Sequence, residues 1–215
     1  MVYPLQPSLL GTPAPRKVRA MNVADGALLA LKDDAELLLA YAAGDARAFE
    51  VLYSRHRAPL YRYLVRQCHD RELANDLFQE VWGKVIGQRS RYEARAKFQT
   101  FLYTIAYHCF IDNCRRRSVR PKLADEADAE LTVPAPASNA PDREAESDEL
   151  GAQLRSAIAA LPAEQRDAFL LYEESGLSVE QIAAVTGVGA ETAKSRLRYA
   201  VAKLRTALAG LEPEK

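Results

Sequence analysis

The chain has 215 residues, 48% hydrophobic and 27% charged, a balance ordinary for globular proteins and enough for one large or two small cores. Lys+Arg and Asp+Glu stand at 29 each, so net charge alone names no partner. No apolar run approaches the roughly 20 residues that cross a bilayer. No long apolar core followed by a cleavage site opens the sequence, so secretion is not expected.

Residues 1–32 carry Pro4, Pro7, Pro13 and Pro15 without sustained periodicity, and are expected to be a mostly disordered extension. From Asp33 the pattern is helical. Phe49, Leu52, Tyr53, His56, Leu60 and Leu64 recur at helix spacing, as do Ala74, Leu77, Phe78, Val81 and Val85, and then Phe98, Phe101, Leu102, Ile105 and Cys109. These three faces predict a small helical bundle over 33–119. Residues 120–148 change character, with Pro121, Pro134, Pro136 and Pro141 among Ala, Asp and Glu, and are expected to form a flexible acidic linker. Helical pattern resumes at Glu149 with Leu150, Leu154, Ile158 and Leu161. Pro162 opens a further helix that Gly176 ends. A second domain over 149–210 and a short tail, 211–215, complete the chain. No run of alternating β-branched residues occurs, so the expected fold is all-α with two small helical domains.

Charge is distributed unevenly. Arg89 to Lys122 holds nine basic residues against Glu93 and Asp112; Ala124 to Leu150 holds nine acidic residues against Arg143. Glu191 to Arg205 holds five basic residues against one acidic. Two basic segments separated by an acidic one predict two polyanion contacts and a linker that avoids them. Cys68, Cys109 and Cys114 are odd in number and include no Cys-x-x-Cys pair, so reduced, partly buried thiols are expected. His108, Cys109 and Cys114 match no strong ligand spacing, and neither metal nor cofactor is expected.

The strongest motif is a helix-turn-helix at Leu177 to Leu208. Ser178 and Gln181 form a capping box that starts a helix at Val179; Thr186, Gly187 and Val188 form the turn; a second helix starts near Ala190. Leu197, Val201, Leu204 and Leu208 are its expected buried stripe, which leaves Glu191, Thr192, Lys194, Ser195, Arg198 and Tyr199 outward. In this motif the second helix enters the major groove, reading base edges while Lys and Arg hold phosphates. An amphipathic hairpin with solvated charges is the plain alternative, which the cap, the glycine turn and the charge bias together disfavour.

A second constellation runs from Arg91 to Arg117. Its solvent side is expected to show Thr100, Tyr103, Thr104 and Tyr107, leading into Arg115, Arg116 and Arg117, after the polar loop Gln88 to Tyr92. Aromatics beside cations suit unpaired bases, because a flat side chain restores roughly 1–3 kcal/mol of stacking per base. The other reading of Tyr103 and Tyr107 is that each packs against a neighbouring helix. Upstream, Asp76, Gln79, Glu80 and Gly83 fall on one helical stripe. No nucleophile, metal cluster or phosphate loop accompanies these carboxylates, so they read as a docking face and not as an acid–base pair.

These residues resemble the extracytoplasmic-function class of bacterial sigma factors, of the sigma-70 family, over about Asp33 to Ala209. The first half contributes Gly44-Asp45, Ala48-Phe49, Leu52-Tyr53, Ala74 to Val81, Phe101 to Ala106 and Ile111-Asp112. The second contributes Leu161-Pro162, Arg166, Gly176-Leu177-Ser178, Gln181-Ile182-Ala183 and Thr192 to Leu197. The resemblance implies a non-catalytic initiation subunit that binds core RNA polymerase, recognises duplex −35 and melted −10 promoter DNA, and answers to an anti-sigma factor. It implies polymerase docking by Asp76, Phe78, Gln79, Glu80, Trp82 and Gly83. The −10 element would fall to Arg91, Tyr92, Lys97, Thr100, Tyr103, Thr104, Tyr107, Arg115 and Arg116. The −35 element would fall to Glu191, Thr192, Lys194, Ser195, Arg196, Arg198 and Tyr199. A cytoplasmic, nucleoid-associated location follows, with sequestration at the inner membrane by the anti-sigma factor as a variant. Phe101 stands where many members carry Trp, Tyr107-His108 where Arg-Asn is frequent, and Arg198-Tyr199 where His-Arg is common; these departures bear on promoter choice. The competing readings are a regulator that binds duplex DNA alone, with an N-terminal sensor bundle, and a nucleic-acid enzyme, for which no catalytic cluster is present.

Overall fold

The structure is a computed structural model that describes residues 29–92, 97–119 and 151–209. The expected linker, the tail and all but the last four residues of the expected N-terminal extension lie outside these residues. Within them the secondary structure is entirely helical. Residues 29–31 are helical and Leu29 is buried, so core packing starts inside the stretch expected to be an extension.

The first half holds α1 (Asp34–Ala42), α2 (Ala46–Cys68), α3 (Arg71–Gln88), a 3-10 turn (Arg89–Arg91) and α4 (Phe98–Val119). Local chemistry sets the starts. Asp33 and Glu36 make a reciprocal capping box, and the Asp45 and Asp70 side chains accept from backbone N–H groups of the first turns of α2 and α3. α2 ends where His69 turns left-handed at φ 54°, a conformation unusual for a residue with a Cβ. The three predicted stripes meet as one core: Leu52, Leu60 and Leu64 of α2, Ala74, Leu77, Val81 and Val85 of α3, and Phe98, Leu102 and Cys109 of α4. An aromatic cluster of Tyr41, Phe49, Tyr53, Phe78 and Trp82 flanks it, with centroids 4.8 to 6.3 Å apart.

The second half holds α5 (residues 151–159), α6 (Ala163–Ser175), α7 (Val179–Thr186) and α8 (Ala190–Leu208). Pro162 precedes α6, and Gly176 at φ 65° ends it. Ser178 and Gln181 form the expected capping box, and Gly187 at φ 70° makes the turn between α7 and α8. The buried stripe of α8 is Ala193, Ala200 and Leu204, with Leu197 partly buried, and Val201 is exposed. Leu204 of the expected stripe is buried and Leu197 and Leu208 are half-buried, so only Val201 falls outside it. The stripe also holds Ala193 and Ala200, whose small side chains let α8 lie close on α6.

The two halves pack directly on one another, α2 against α6 and α4 against α7. The seam is polar. Arg62 and Arg66 bind Glu174, Gln67 Nε2 donates to Asp167 at 2.7 Å, Gln99 donates to the Ser175 carbonyl at 3.0 Å, and Gln181 donates to Thr100 Oγ1 at 2.8 Å.

Candidate nucleic-acid interface

In the second half, the outward face of α8 is as the motif predicts. Glu191, Thr192, Lys194, Arg198 and Tyr199 are exposed and Ser195 is half-buried. The Arg198 guanidinium sits 5.0 Å from the centre of the Tyr199 ring, which pre-orders both side chains. Arg196 differs: it pairs with Glu164 of α6 at 3.0 Å, so in this conformation it braces α8 on its own scaffold instead of facing outward.

The docking stripe is divided by burial. Asp76, Gln79 and Gly83 are exposed. Glu80 is bound by Lys84 at 2.8 Å, with Arg116 at 4.0 Å, and the hydrogen bond from Lys84 holds its carboxyl below the ordinary value. Trp82 is buried and supports the stripe from beneath, whereas Phe78, its neighbour in the aromatic cluster, is half-buried and keeps part of its ring at the surface.

The α4 face departs most from expectation. Tyr103 was expected on the solvent side; it is 1% exposed, its ring 5.3 Å from that of Tyr63, and its hydroxyl has no hydrogen-bond partner. Burial pushes its titration upward, and the nearby Glu174 pushes it further. Thr100, Thr104 and Tyr107 are half-buried. Thr100 accepts from Gln181, and Thr104 donates to the Thr100 carbonyl at 2.7 Å. Tyr92 is buried with its ring 5.3 Å from Phe101. Lys97, Arg115 and Arg116 are exposed; residues 93–96 and the Arg91 side chain lie outside the description. The physical reason for the difference is simple: α6 and α7 of the second half cover the face that the sequence of α4, taken alone, leaves open.

Glu174, Asp167, Arg62, Arg66 and Gln67 hold that cover in place and were not picked out from the sequence. Asp167 is buried, which raises its carboxyl pKa above the usual value despite the Gln67 hydrogen bond. Arg166 reaches Gln67 Oε1 at 3.4 Å and the Ala159 carbonyl at 3.2 Å. The one weak sequence signal is the i,i+4 pair Arg62 and Arg66 on an otherwise amphipathic helix. Nothing in periodicity alone says where their partner lies.

Among the described residues, no group of three or more His, Cys, Asp or Glu comes together to hold a metal, and no helix is long and apolar enough to cross a membrane. Cys68, Cys109 and Cys114 are free thiols, and burial pushes that of Cys68 up to about 12.

A capped helix-turn-helix joined to a helical bundle with a basic, aromatic fourth helix defines a class, the two-part all-helical DNA-binding proteins. Comparison narrows it. Residues 52–120 match the family model for Sigma-70 region 2, and residues 151–204 that for Sigma-70, region 4. The chain is 34% identical over 171 residues to the RNA polymerase sigma factor CarQ of Myxococcus xanthus, covering 80% of this chain and 95% of that one. It is likewise 34% identical over 179 residues to the ECF RNA polymerase sigma factor SigC of Mycobacterium tuberculosis, covering 83% and 91%. Among solved structures, the sigma factor RpoE of Bartonella quintana in complex with the anti-sigma factor NepR shares the fold at TM-score 0.63 and 24% identity, covering 78% of this chain and all of that one. CnrH in complex with the cytosolic domain of CnrY does so at TM-score 0.61 and 20% identity, covering 83% and 99%. The chain belongs to the sigma-70 family, in its extracytoplasmic-function class: it is a non-catalytic subunit that binds RNA polymerase and recognises promoters.

Proposed function

We propose a division of labour between the halves, with residues 33–119 as the polymerase and −10 module and 149–210 as the −35 module, joined by the acidic segment 120–148. In the second half, Glu191, Thr192, Lys194, Ser195, Arg198 and Tyr199 of α8 read duplex −35 DNA in the major groove. In the first half, Asp76, Gln79 and Gly83 dock on polymerase, with Trp82, and Phe78 in part, shaping the helix beneath. Thr100, Tyr103, Thr104, Tyr107, Lys97, Arg115 and Arg116 contact the −10 strand once α4 is uncovered. One protein of this fold is solved with an anti-sigma factor bound, and another with the cytosolic domain of CnrY. An anti-sigma factor for this chain is proposed on that basis, together with a cytoplasmic, nucleoid-associated location and inner-membrane sequestration by that partner.

The observation that carries the reading is the exposure of the α8 residues Glu191, Thr192, Lys194, Arg198 and Tyr199 from a rigidly capped motif, on the same chain as the exposed stripe Asp76, Gln79 and Gly83. The test is to add the purified chain to core RNA polymerase and a promoter library. Transcripts that start at a restricted set of promoters sharing −35 and −10 sequences are expected. Binding to duplex operators without polymerase, and no gain of initiation with it, would overturn the reading in favour of an autonomous repressor or activator.

A further inference from the structure

Glu174 of α6 is a buried carboxylate. Its side chain is 4% exposed, and it is gripped by two guanidiniums from the other half: Arg62 Nε donates to Oε2 at 2.8 Å, and Arg66 Nη1 to Oε1. Burying a carboxylate is costly unless its oxygens are matched, and this one is matched wholly across the seam. The arginines are less committed than their partner. Arg62 keeps 53% of its side chain exposed and Arg66 30%, and Arg66 also lines a cavity of about 280 Å³ between α2 and α5. They stand one helical turn apart on α2, beside Tyr103, whose hydroxyl feels the charges of both Glu174 and Arg62.

We propose that Arg62 and Arg66 are a binding site for the phosphodiester backbone of the melted promoter strand, occupied by Glu174 as an anionic stand-in while the two halves are packed together. Paired guanidinium forks suit two tetrahedral phosphate oxygens as they suit two carboxylate oxygens. The position fits the role, since α2 packs against α4 and places Arg62 close enough to Tyr103 for its charge to act on that hydroxyl. The exchange is also balanced: separating the halves frees both arginines and exposes Glu174 to water, and strand capture then supplies the anion the arginines have lost. The covered unpartnered hydroxyl of Tyr103 is uncovered in the same movement. The inference rests on the reading of α4 as the −10 face.

The test uses the full-length free chain and a short labelled thymidine oligomer, which reports backbone capture without promoter sequence. Glu174→Ala, with Glu174→Gln as the conservative control, is expected to enlarge the radius of gyration in solution scattering and to tighten oligomer binding by about tenfold at low salt. Adding Arg62→Ala and Arg66→Ala to Glu174→Ala is expected to leave the chain open, abolish the gain, and reduce the salt slope by about 0.7, the value for one phosphate on a single strand. Scattering and affinity unchanged in both Glu174 variants would overturn the proposal, as would a gain that survives loss of both arginines. A parallel titration with a strand from a promoter selected in the library, against its scrambled version, separates the underlying reading. Arginine-dependent capture without preference for the promoter strand upholds the phosphate site and defeats the −10 assignment alone.

Discussion

Gln181 Nε2 donates to Thr100 Oγ1 at 2.8 Å, linking side chains 81 positions apart, while Gln181 Oε1 accepts from the Ser178 backbone N–H at 2.9 Å. One side chain therefore both starts the first helix of the DNA-binding motif and ties that motif to the face it covers. Thr100→Val deletes the tie and keeps the cap, and is expected to cost about 1 kcal/mol in denaturant unfolding. Gln181→Ala deletes both and is expected to cost about 2 kcal/mol. The two substitutions combined should cost less than their sum, because the second removes a bond already lost. Strict additivity would show that the contact carries no energy.

The exposed part of the docking stripe predicts a loss confined to association. Asp76→Ala with Gln79→Ala should weaken binding to core polymerase by at least about 1 kcal/mol, roughly fivefold, while thermal unfolding of the free chain stays within about 0.5 kcal/mol of the original. Glu80 is the wrong residue for this test: its link to Lys84 makes its removal a change to α3 itself. Undiminished polymerase affinity in the double variant would remove the docking assignment.

These cases show what a linear reading reaches. Ser178, Gln181, Gly187 and Ala190 could be placed because capping and left-handed turns are decided within a few residues of chain. The burial of Leu52, Val81 and Leu102 followed from helical period. Tyr103 could not be placed, since its ring packs on Tyr63 of α2 and its hydroxyl lies near Glu174 of α6, and no local pattern encodes either partner. On α8, Val201 departs from the expected stripe for a related reason. Periodicity weights large apolar residues, whereas Ala193 and Ala200 are buried because they are small enough for helices to approach.

Arg196 and Arg198 are two positions apart on α8 and are expected to answer differently. Arg198 is exposed and stacked on Tyr199, so Arg198→Ala should weaken initiation at a −35-dependent promoter by about 1–3 kcal/mol in effective binding. Arg196 is turned to Glu164, whose side chain is 71% exposed, so the pair stabilises the fold weakly and Arg196→Ala should shift unfolding by under about 1 kcal/mol. Initiation assays on promoters with intact and scrambled −35 elements separate the two. Equal sensitivity of both variants to the −35 sequence would show that the Glu164 pair opens on DNA.

Asp34 gives the first half a defined acid limit. Burial raises its carboxyl, but hydrogen bonds from His56 Nε2 at 2.6 Å and Arg55 Nη1 at 2.7 Å outweigh that and hold its pKa below 3.8. A carboxylate depressed in the folded state contributes stability that is fully present well above 3.8 and is lost as pH falls past 3.8 and through the lower folded value. Arg55 also grips the Ala30 and Lys32 carbonyls, so the same ion pair fastens the start of the described chain to α2. Asp34→Asn should therefore cost about 1–2 kcal/mol in urea unfolding at neutral pH, the magnitude of charge-assisted hydrogen bonds with one partner left uncompensated. The gap between the two proteins should close as the pH is lowered through that window, because the original aspartate is then protonated too. A gap that stays constant down to the acid transition would mean that the carboxylate's charge plays no part in holding α1 to α2.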